Sequence, residues 1–490
     1  GRVIDQEEKT GNTDRITFNY VKAHVLSNTK NIWTPVIHGS LVSLCDPGHI
    51  QKALGLDDAN VKNPLTCGYL EMYGNRVPVK ISTDFLVGPD GAHLNISGIS
   101  GLACKTSYTM FLMNALQQKY ETEAIKKKAA GEKSEKVGYI MFNVKGRDLL
   151  SINEPAKEVP EKDIELYQTL GLEVKPFSNV HFYYPYSNND GMHNIQSFAD
   201  YETMFKKQKL HNDASVYKYD FRSCRDKLSY LFANEEDSSG TMESIISWIE
   251  NENAPFSGIT SWKHFDDKLA QVLNPDATDN PARKNIPLVS WKKFNRIIDK
   301  IKSDSVFSDG VGEDYDAVSL SDSIKEIKAG EVKVIDIARL NERSQAFVFG
   351  DVIGTIIEMM NTKVGEDALD KIVIFVDELN KYASKDCPKN SPILRHLLDI
   401  TERGRSLGII LFAVEQFRSA IHDRVKGNCA TTAYGRSNFV EVSTPDYRFL
   451  GDSSRNLVTR LTPGEYVIVN PALQAPIKIK FPRPTYKQNS

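Results

Sequence analysis

The chain has 490 residues, 40% hydrophobic and 26% charged, with a formal net charge of −3 at pH 7. This is the balance of an ordinary globular protein with a large buried core, and it excludes a polyanion-coating protein: any nucleic-acid contact must come from a local basic surface. The six cysteines are scattered with no C-x-x-C spacing, which indicates neither a disulfide framework nor a cysteine zinc site and suits a reducing cytosol; no apolar run is long enough to span a membrane, and the N-terminus lacks signal-peptide design.

In chain order, residues 14–88 read as short strands. "RITFNYVKAHV", "TPVIHGSLVSLC", "CGYLEMY" and "RVPVKIS" are rich in Val, Ile, Tyr and Thr and punctuated by Gly, Pro and Asn. They predict a small N-terminal β-barrel or sandwich within a first domain, 1–88. "AHLNIS" (92–97) is a buried-strand candidate, "KTSYTMFLMNALQQKY" (105–120) is helical in period, and "VGYIMFNVKG" (137–146) is another strand. Between these last two lies the charge-rich, solvated "ETEAIKKKAAGEKSEK". Strands alternating with helices indicate an α/β fold with a parallel sheet and right-handed crossovers. The first part of this core spans 89–204.

Residues 205–325 carry amphipathic pieces such as "MESIISWIE", "WKHFDDKLAQVL" and "WKKFNRIIDKI", separated by Asn, Pro, Asp and Ser, and predict a mostly helical insertion. The α/β pattern returns over 326–490. There "GEVKVIDIARL" is a strand, "QAFVFGDVIGTIIEMM" a helix, "DKIVIFVDELNKYA" a strand and acidic turn, and "SPILRHLLDITERGRSLGIILFAVEQFRSA" a helix followed by a strand. "GEYVIVNPALQAPIKIKFPRP" reads as a closing hairpin.

One stretch carries chemistry. "NISGISGLACKTSYTMFLMNAL" (95–116) is an apolar strand, a glycine-bearing turn, Lys-Thr and a helix. A nucleotide's phosphates require inward-pointing backbone N–H groups, a helix N-terminus and a lysine charge. Gly98, Ser100 and Gly101 can make the turn, Lys105 can reach the terminal phosphates, Thr106 can ligate Mg²⁺, and Cys104 and Ser107 complete the loop. The spelling departs from G-x-x-x-x-G-K-[ST]: Ile99 stands where the first glycine belongs, and Cys104 stands before the lysine. "IVIFVDE" (372–378) supplies the second element. A buried strand would carry Asp377 to the sheet edge to hold Mg²⁺, with Glu378 as the general base on an attacking water. Alone, it has a lesser alternative as a buried strand ending in a solvated acidic turn. Gln416, at the end of "GIILFAVEQ", can contact the γ-phosphate or the water. Arg403, Arg405 and Arg436 are candidates for an arginine supplied to a neighbouring subunit's γ-phosphate; each can also be a surface salt-bridge partner.

The order of these segments, "IVIFVDE", then "ERGRSLGIILFAVEQ", "GRSN" and "LTPGEYVIVNP" behind a barrel and a phosphate loop, resembles the HerA-type ATPases of the HerA–FtsK superfamily. The resemblance implies a P-loop, RecA/FtsK-like ATPase core with a HAS-barrel-like N-terminal domain, in a closed ring that is usually a hexamer. It implies ATP and Mg²⁺ as cofactors, sequence-independent DNA as substrate, and a nuclease or other effector as partner, in DNA end processing or anti-phage defence. By position it implies Lys105 and Thr106 at the phosphates, Asp377 and Glu378 as the Mg²⁺ and base pair, Gln416 as sensor, and Arg405 and Arg436 as arginines of the site. "VEQFRS" has one residue more than the family's A-T-Q-R-P-S form. "FNVKGRDLL" (142–150) replaces its acidic D-P-H-G-E segment, with Asp148 nearby. Two functions compete: an ATP-driven DNA motor, and a nucleotide-regulated ring that assembles a partner effector such as a nuclease or NAD-consuming enzyme. A P-loop kinase or monomeric switch is a third, which the arginines, barrel and tail disfavour.

Overall fold

The computed structural model describes residues 34–35, 37–41, 45–56, 61–72, 74–101, 103–189, 191, 193–237, 239–309, 317–363 and 365–488. They build one 13-stranded sheet in the order β2-β1-β13-β12-β11-β3-β10-β9-β4-β8-β5-β6-β7. Its strands are β1 Pro64–Met72, β2 Asn75–Ser82, β3 Leu94–Ser97, β4 Val137–Asn143, β5 Val180–Pro185, β6 Ala214–Tyr217, β7 Ala317–Val318, β8 Val332–Asp336, β9 Lys371–Val376, β10 Ile409–Glu415, β11 Thr431–Tyr434, β12 Glu465–Val469 and β13 Ile477–Lys480. From β11 to β7 every pairing is parallel. From β2 to β11 every pairing is antiparallel.

The central strands β9 and β10 and most of β4 read as near-continuous apolar runs because both faces are covered, as parallel sheets require, whereas β3 and β8 bury Asn95, Ser97, Lys333 and Asp336 among their apolar residues. On β10, Ile410, Phe412 and Val414 face one core, while Ile409, Leu411 and Ala413 face the other. Helix α1 (Lys105–Ala130) packs into the first core; its buried residues run from Tyr108 to Tyr120, and its later turns are solvated. Helices α2 (Thr241–Glu250), α3 (Trp262–Leu273) and α4 (Leu288–Ile301) pack into the second core. They share it with α5 (Glu342–Thr362) and α6 (Pro392–Leu407). The stretch 205–325 is mostly helical, as its pattern predicts. It also contributes two strands, β6 and β7, to the sheet's edge, so its helices rest on the core through Phe265, Trp291 and Phe294 rather than standing apart.

The "CGYLEMY" and "RVPVKIS" segments form the β1–β2 hairpin, which joins the main sheet through Tyr69 opposite Lys480 on β13. Of the other two segments expected in an N-terminal barrel, "RITFNYVKAHV" lies outside the described residues, and the described part of "TPVIHGSLVSLC", 34–35, 37–41 and 45, forms a turn and no strand. The predicted C-terminal hairpin is β12–β13. Among the described residues no helix is long and apolar enough to cross a membrane.

Candidate active site

In a parallel sheet the loops that follow the strands gather along one edge. Here β3 and β9 flank β10, with β4 beyond β9. The loop after β3 is therefore brought beside the acidic turn after β9 and the turn after β4.

The loop after β3 curls tightly against β11. Ile99 N donates to the Arg436 carbonyl at 2.8 Å, and Ala103 N to the Ile99 carbonyl at 3.1 Å. Gly98 has φ +155°, and a Cβ there would lie 2.7 Å from Ala103 Cβ and 3.2 Å from the Arg436 carbonyl oxygen. Helix α1 then begins at Lys105 with Cys104 as N-cap and no side-chain cap. Its first N–H groups have no intrahelical acceptor, and the residues that carry them line a cavity, which suits an anion. Cys104 sits at φ +50°, ψ +40°, a left-handed conformation that glycine adopts without strain and a side chain does not. The departure from the usual glycine before lysine is thus a backbone cost rather than a lost chemical group.

Lys105 Nζ donates to the Gly98 carbonyl at 2.7 Å. Burial holds its pKa below the ordinary lysine range, opposed by the Asp377 carboxylate. Thr106 Oγ1 donates to Asp377 Oδ2 at 3.1 Å, closing 271 residues of sequence separation. Glu378 follows in a left-handed turn at φ +55°. Of the nine described non-glycine residues with positive φ, only Cys104, Glu252 and Glu378 are neither Asn nor His. Two of those three flank this cavity, the placement expected where local strain serves a site.

The cavity has a volume of about 420 Å³, within the range of small-molecule sites. Ser100, Gly101, Cys104, Lys105, Thr106, Ser107 and Asp377 line it. The remaining lining residues were not singled out as contacts of the nucleotide: Lys145, Tyr486 and Gln488, together with Asp148, which had been read as lying nearby. Lys145 Nζ stands 2.6 Å from Glu378 Oε1, and Lys381 Nζ 2.7 Å from Glu378 Oε2. Although burial works against ionisation of Glu378, these two ammonium groups hold its carboxyl below the usual range. Burial and the nearby Asp377 push Asp148 up. The turn carrying Lys145 and Asp148 is braced by Asn143. Its Nδ2 donates to the Gly146 carbonyl at 3.1 Å and to Asp336 Oδ1 at 2.8 Å, and its Oδ1 accepts from Leu149 N at 3.3 Å. The C-terminal tail crosses the cavity's other side, where Gln488 Nε2 donates to Ser107 Oγ at 3.2 Å. The signal for Lys145 was a polar turn after a buried strand; the tail offered none.

The other predicted residues fall elsewhere. Gln416 follows β10, between the β3 and β9 loops, exposed and off the cavity lining. Arg436 follows β11 and contributes its carbonyl to the phosphate loop. Arg405 lies at the opposite edge of the sheet, where its Nη1 donates to the Asp90 carbonyl, ahead of β3, at 3.0 Å. Arg403 pairs with Asp399 along α6 at 3.0 Å. None of these arginines reaches the cavity of its own chain. Beneath the loop lies an unforeseen polar cluster. Glu415 is fully buried with no hydrogen bond to either carboxylate oxygen, and burial, opposed by Arg418, raises its pKa to about 8. Arg418 donates to Asn95 and stacks over Tyr434.

The arrangement fits a nucleotide with a divalent cation. Thr106 and Asp377 present two oxygens to one point beside an uncapped helix N-terminus. Among the described residues no cluster of three or more His, Cys, Asp or Glu could hold a metal ion by itself. Such a pair suits Mg²⁺, which completes its shell with phosphate oxygens and water.

No protein-family model matches the chain, and no curated protein matches it. Among solved structures it is similar to the bacterial conjugative coupling protein TrwBdeltaN70 in its unbound form, at 10% identity over 84% of this chain and 90% of that one, TM-score 0.45. It is also similar to VirB4 of Thermoanaerobacter pseudethanolicus, at 12% identity over 85% of this chain and 96% of that one, TM-score 0.44. A smaller match is the genome packaging NTPase B204 of Sulfolobus turreted icosahedral virus 2 with ATP-gammaS, at 12% identity over 34% of this chain and 72% of that one, TM-score 0.25. Scores at this level carry no argument, and the reading of the site rests on its own geometry.

Proposed function

We propose that the chain binds and hydrolyses ATP with Mg²⁺ in this cavity and works as a ring-forming, sequence-independent DNA translocase. The observation that carries the nucleotide reading is the convergence of Lys105, Thr106 and Asp377 at an uncapped helix N-terminus. Thr106 and Asp377 would hold Mg²⁺, which when bound neutralises phosphate charge. The N–H groups of the loop and first helical turn orient the phosphates, and Lys105 exchanges the Gly98 carbonyl for a phosphate oxygen. Glu378, held by two lysines, is placed to accept the proton of an attacking water.

The ring reading draws support from the position of Arg405, which faces away from its own cavity and so is available to a neighbour's. Heterologous contacts that close on themselves give such a ring. A partner effector, a nuclease or an NAD-consuming enzyme, belongs to this reading, as does a cytoplasmic location. The second reading, a nucleotide-regulated scaffold with little translocation, is favoured by one observation: Glu378 is tied to two cations, which weakens it as a base.

ATP hydrolysis with and without double-stranded DNA, beside Lys105→Ala and Glu378→Gln, separates the two. DNA-stimulated turnover that both variants lose supports the motor. ATP binding lost in Lys105→Ala, with no turnover in wild type, supports the scaffold. No binding by wild type removes the nucleotide reading.

A further inference from the structure

Lys145 is the second lysine of the cavity, and its environment differs from that of Lys105. Lys105 is on the loop after β3, bonded to a neutral carbonyl. Lys145 is on the turn after β4, paired with a carboxylate. The strand order β3-β10-β9-β4 puts three strand spacings, about 14 Å, between the roots of these two turns. One lysine therefore approaches the cavity from the helix N-terminus, where Thr106 meets Asp377, and the other from the β4 side, where it meets Glu378.

The Lys145–Glu378 pair is built to exchange. The Lys145 side chain is 43% exposed on a flexible stem, and its root is fixed by the three hydrogen bonds of Asn143. Glu378 does not depend on it, because Lys381 stays on the other carboxylate oxygen at 2.7 Å. An anion with more charge than a carboxylate, arriving between the two turns, can take Lys145 without leaving Glu378 unpaired.

We propose that Lys145 is a second phosphate-binding cation of this site, one that leaves Glu378 for the terminal phosphate of a nucleoside triphosphate and so distinguishes triphosphate from diphosphate. The inference rests on the nucleotide reading of the cavity. A diphosphate, anchored at the helix N-terminus and Lys105, falls short of the β4 side and leaves Lys145 on Glu378. The triphosphate alone exchanges the Lys145–Glu378 ion pair for a charge-assisted phosphate contact, a net gain of about tenfold in affinity.

The test is calorimetric titration of the full chain with Mg²⁺ and either ATP or ADP, for wild type, Lys145→Gln, Lys145→Arg, Lys381→Gln and Lys105→Ala. Lys145→Gln is expected to weaken ATP about tenfold or more and ADP less than about twofold. Lys145→Arg keeps the charge and restores most of the ratio, while Lys381→Gln, which leaves Glu378 unpaired once Lys145 departs, lowers the ratio by making the exchange costlier. Equal effects of Lys145→Gln on ATP and ADP, or none on either, overturn the proposal while a Lys105→Ala defect upholds the site. If wild type binds neither nucleotide, or Lys105→Ala binds both normally, the site reading falls and the proposal with it.

Discussion

Gly435→Ala tests whether the phosphate loop is held in shape by its contact with β11. Gly435 follows β11, and a Cβ built on it would lie 2.8 Å from Ala103 Cβ, 3.0 Å from Tyr466 Cε1 and 3.2 Å from the Ser97 carbonyl oxygen. Its φ is ordinary, so the substitution adds no backbone strain and acts through space alone. Ser97 is a strand residue in register with Tyr434, and Tyr466 is fully buried, stacked on Tyr108 and donating its hydroxyl to the Ala103 carbonyl. Both are fixed, so Ala103 is the neighbour that must yield, and Ala103 is part of the loop that precedes Lys105. Overpacking of this kind costs about 1–3 kcal/mol. Borne by the loop, that becomes a loss of roughly 5- to 150-fold in ATP affinity. Titration of ATP into Gly435→Ala measures it, and the double variant Gly435→Ala, Ala103→Gly supplies the cycle. Removing Ala103 Cβ deletes the shortest contact and is expected to recover most of the affinity. Wild-type binding by Gly435→Ala, or no recovery in the double variant, refutes the reasoning.

Cys104 supplies a second test: at φ +50° a β-branched residue is a steric outlier, so nucleotide affinity should fall in the order Gly at least equal to Cys, then Val, with Cys104→Val about tenfold weaker. Titration of both variants checks this, and a Val variant that binds as wild type contradicts the left-handed assignment. Glu415→Gln should change how stability depends on pH. Glu415 has a folded pKa of about 8 against an unfolded value near ~4.3, so its contribution is fully present below about pH 4 and lost as pH rises through 8, by up to about 1.4 kcal/mol per pH unit. The melting-temperature gain of the variant over wild type should therefore widen from pH 5 to pH 8, and a constant gap would show that the carboxyl is not raised. Asn143→Ala removes the brace of the Lys145 turn and leaves Asp336 one donor short. It should destabilise by about 1–3 kcal/mol and weaken ATP more than ADP, measured by thermal melting and titration.

What was legible in the sequence was local. The loop, its lysine and hydroxyl, and the Asp-Glu turn are each a strand's end with a polar residue, and parallel topology brings such ends together without further information. The strands β4, β9 and β10 are readable because burial on both faces leaves near-continuous apolar runs, and β3 and β8 because short apolar stretches end at turn or polar signals. What could not be read depends on pairings remote in sequence. Tyr69 lies opposite Lys480, so nothing within 64–82 says that this hairpin extends the main sheet. β7 is two residues long and has no period to detect. Arg405 sits in a promising motif, yet it precedes β10 rather than following it, and a parallel sheet places the start of a strand opposite the edge that carries the cavity. The Lys145–Glu378 pair joins residues that only the β4–β9 adjacency makes neighbours.

If the cavity takes a nucleotide as proposed, its charges also set an order for its own rearrangement. Lys105 gives up a neutral carbonyl when an anion arrives, so its movement costs one ordinary hydrogen bond, and it gains a charged partner in a half-buried setting. Lys145 must give up a carboxylate, which a weakly charged ligand cannot outbid. The first phosphates to settle at the helix N-terminus are therefore met by Lys105 and the backbone, whatever the length of the chain behind them. The second exchange follows only if a further phosphate reaches the β4 side, and it removes one of the two cations that restrain Glu378. On the proposed reading, binding and the readiness of Glu378 as a base are thus separate events, coupled through the reach of one lysine. That separation serves a motor and a nucleotide-controlled scaffold equally. The two part company at how fast Glu378, still held by Lys381, can take a proton once Lys145 has moved.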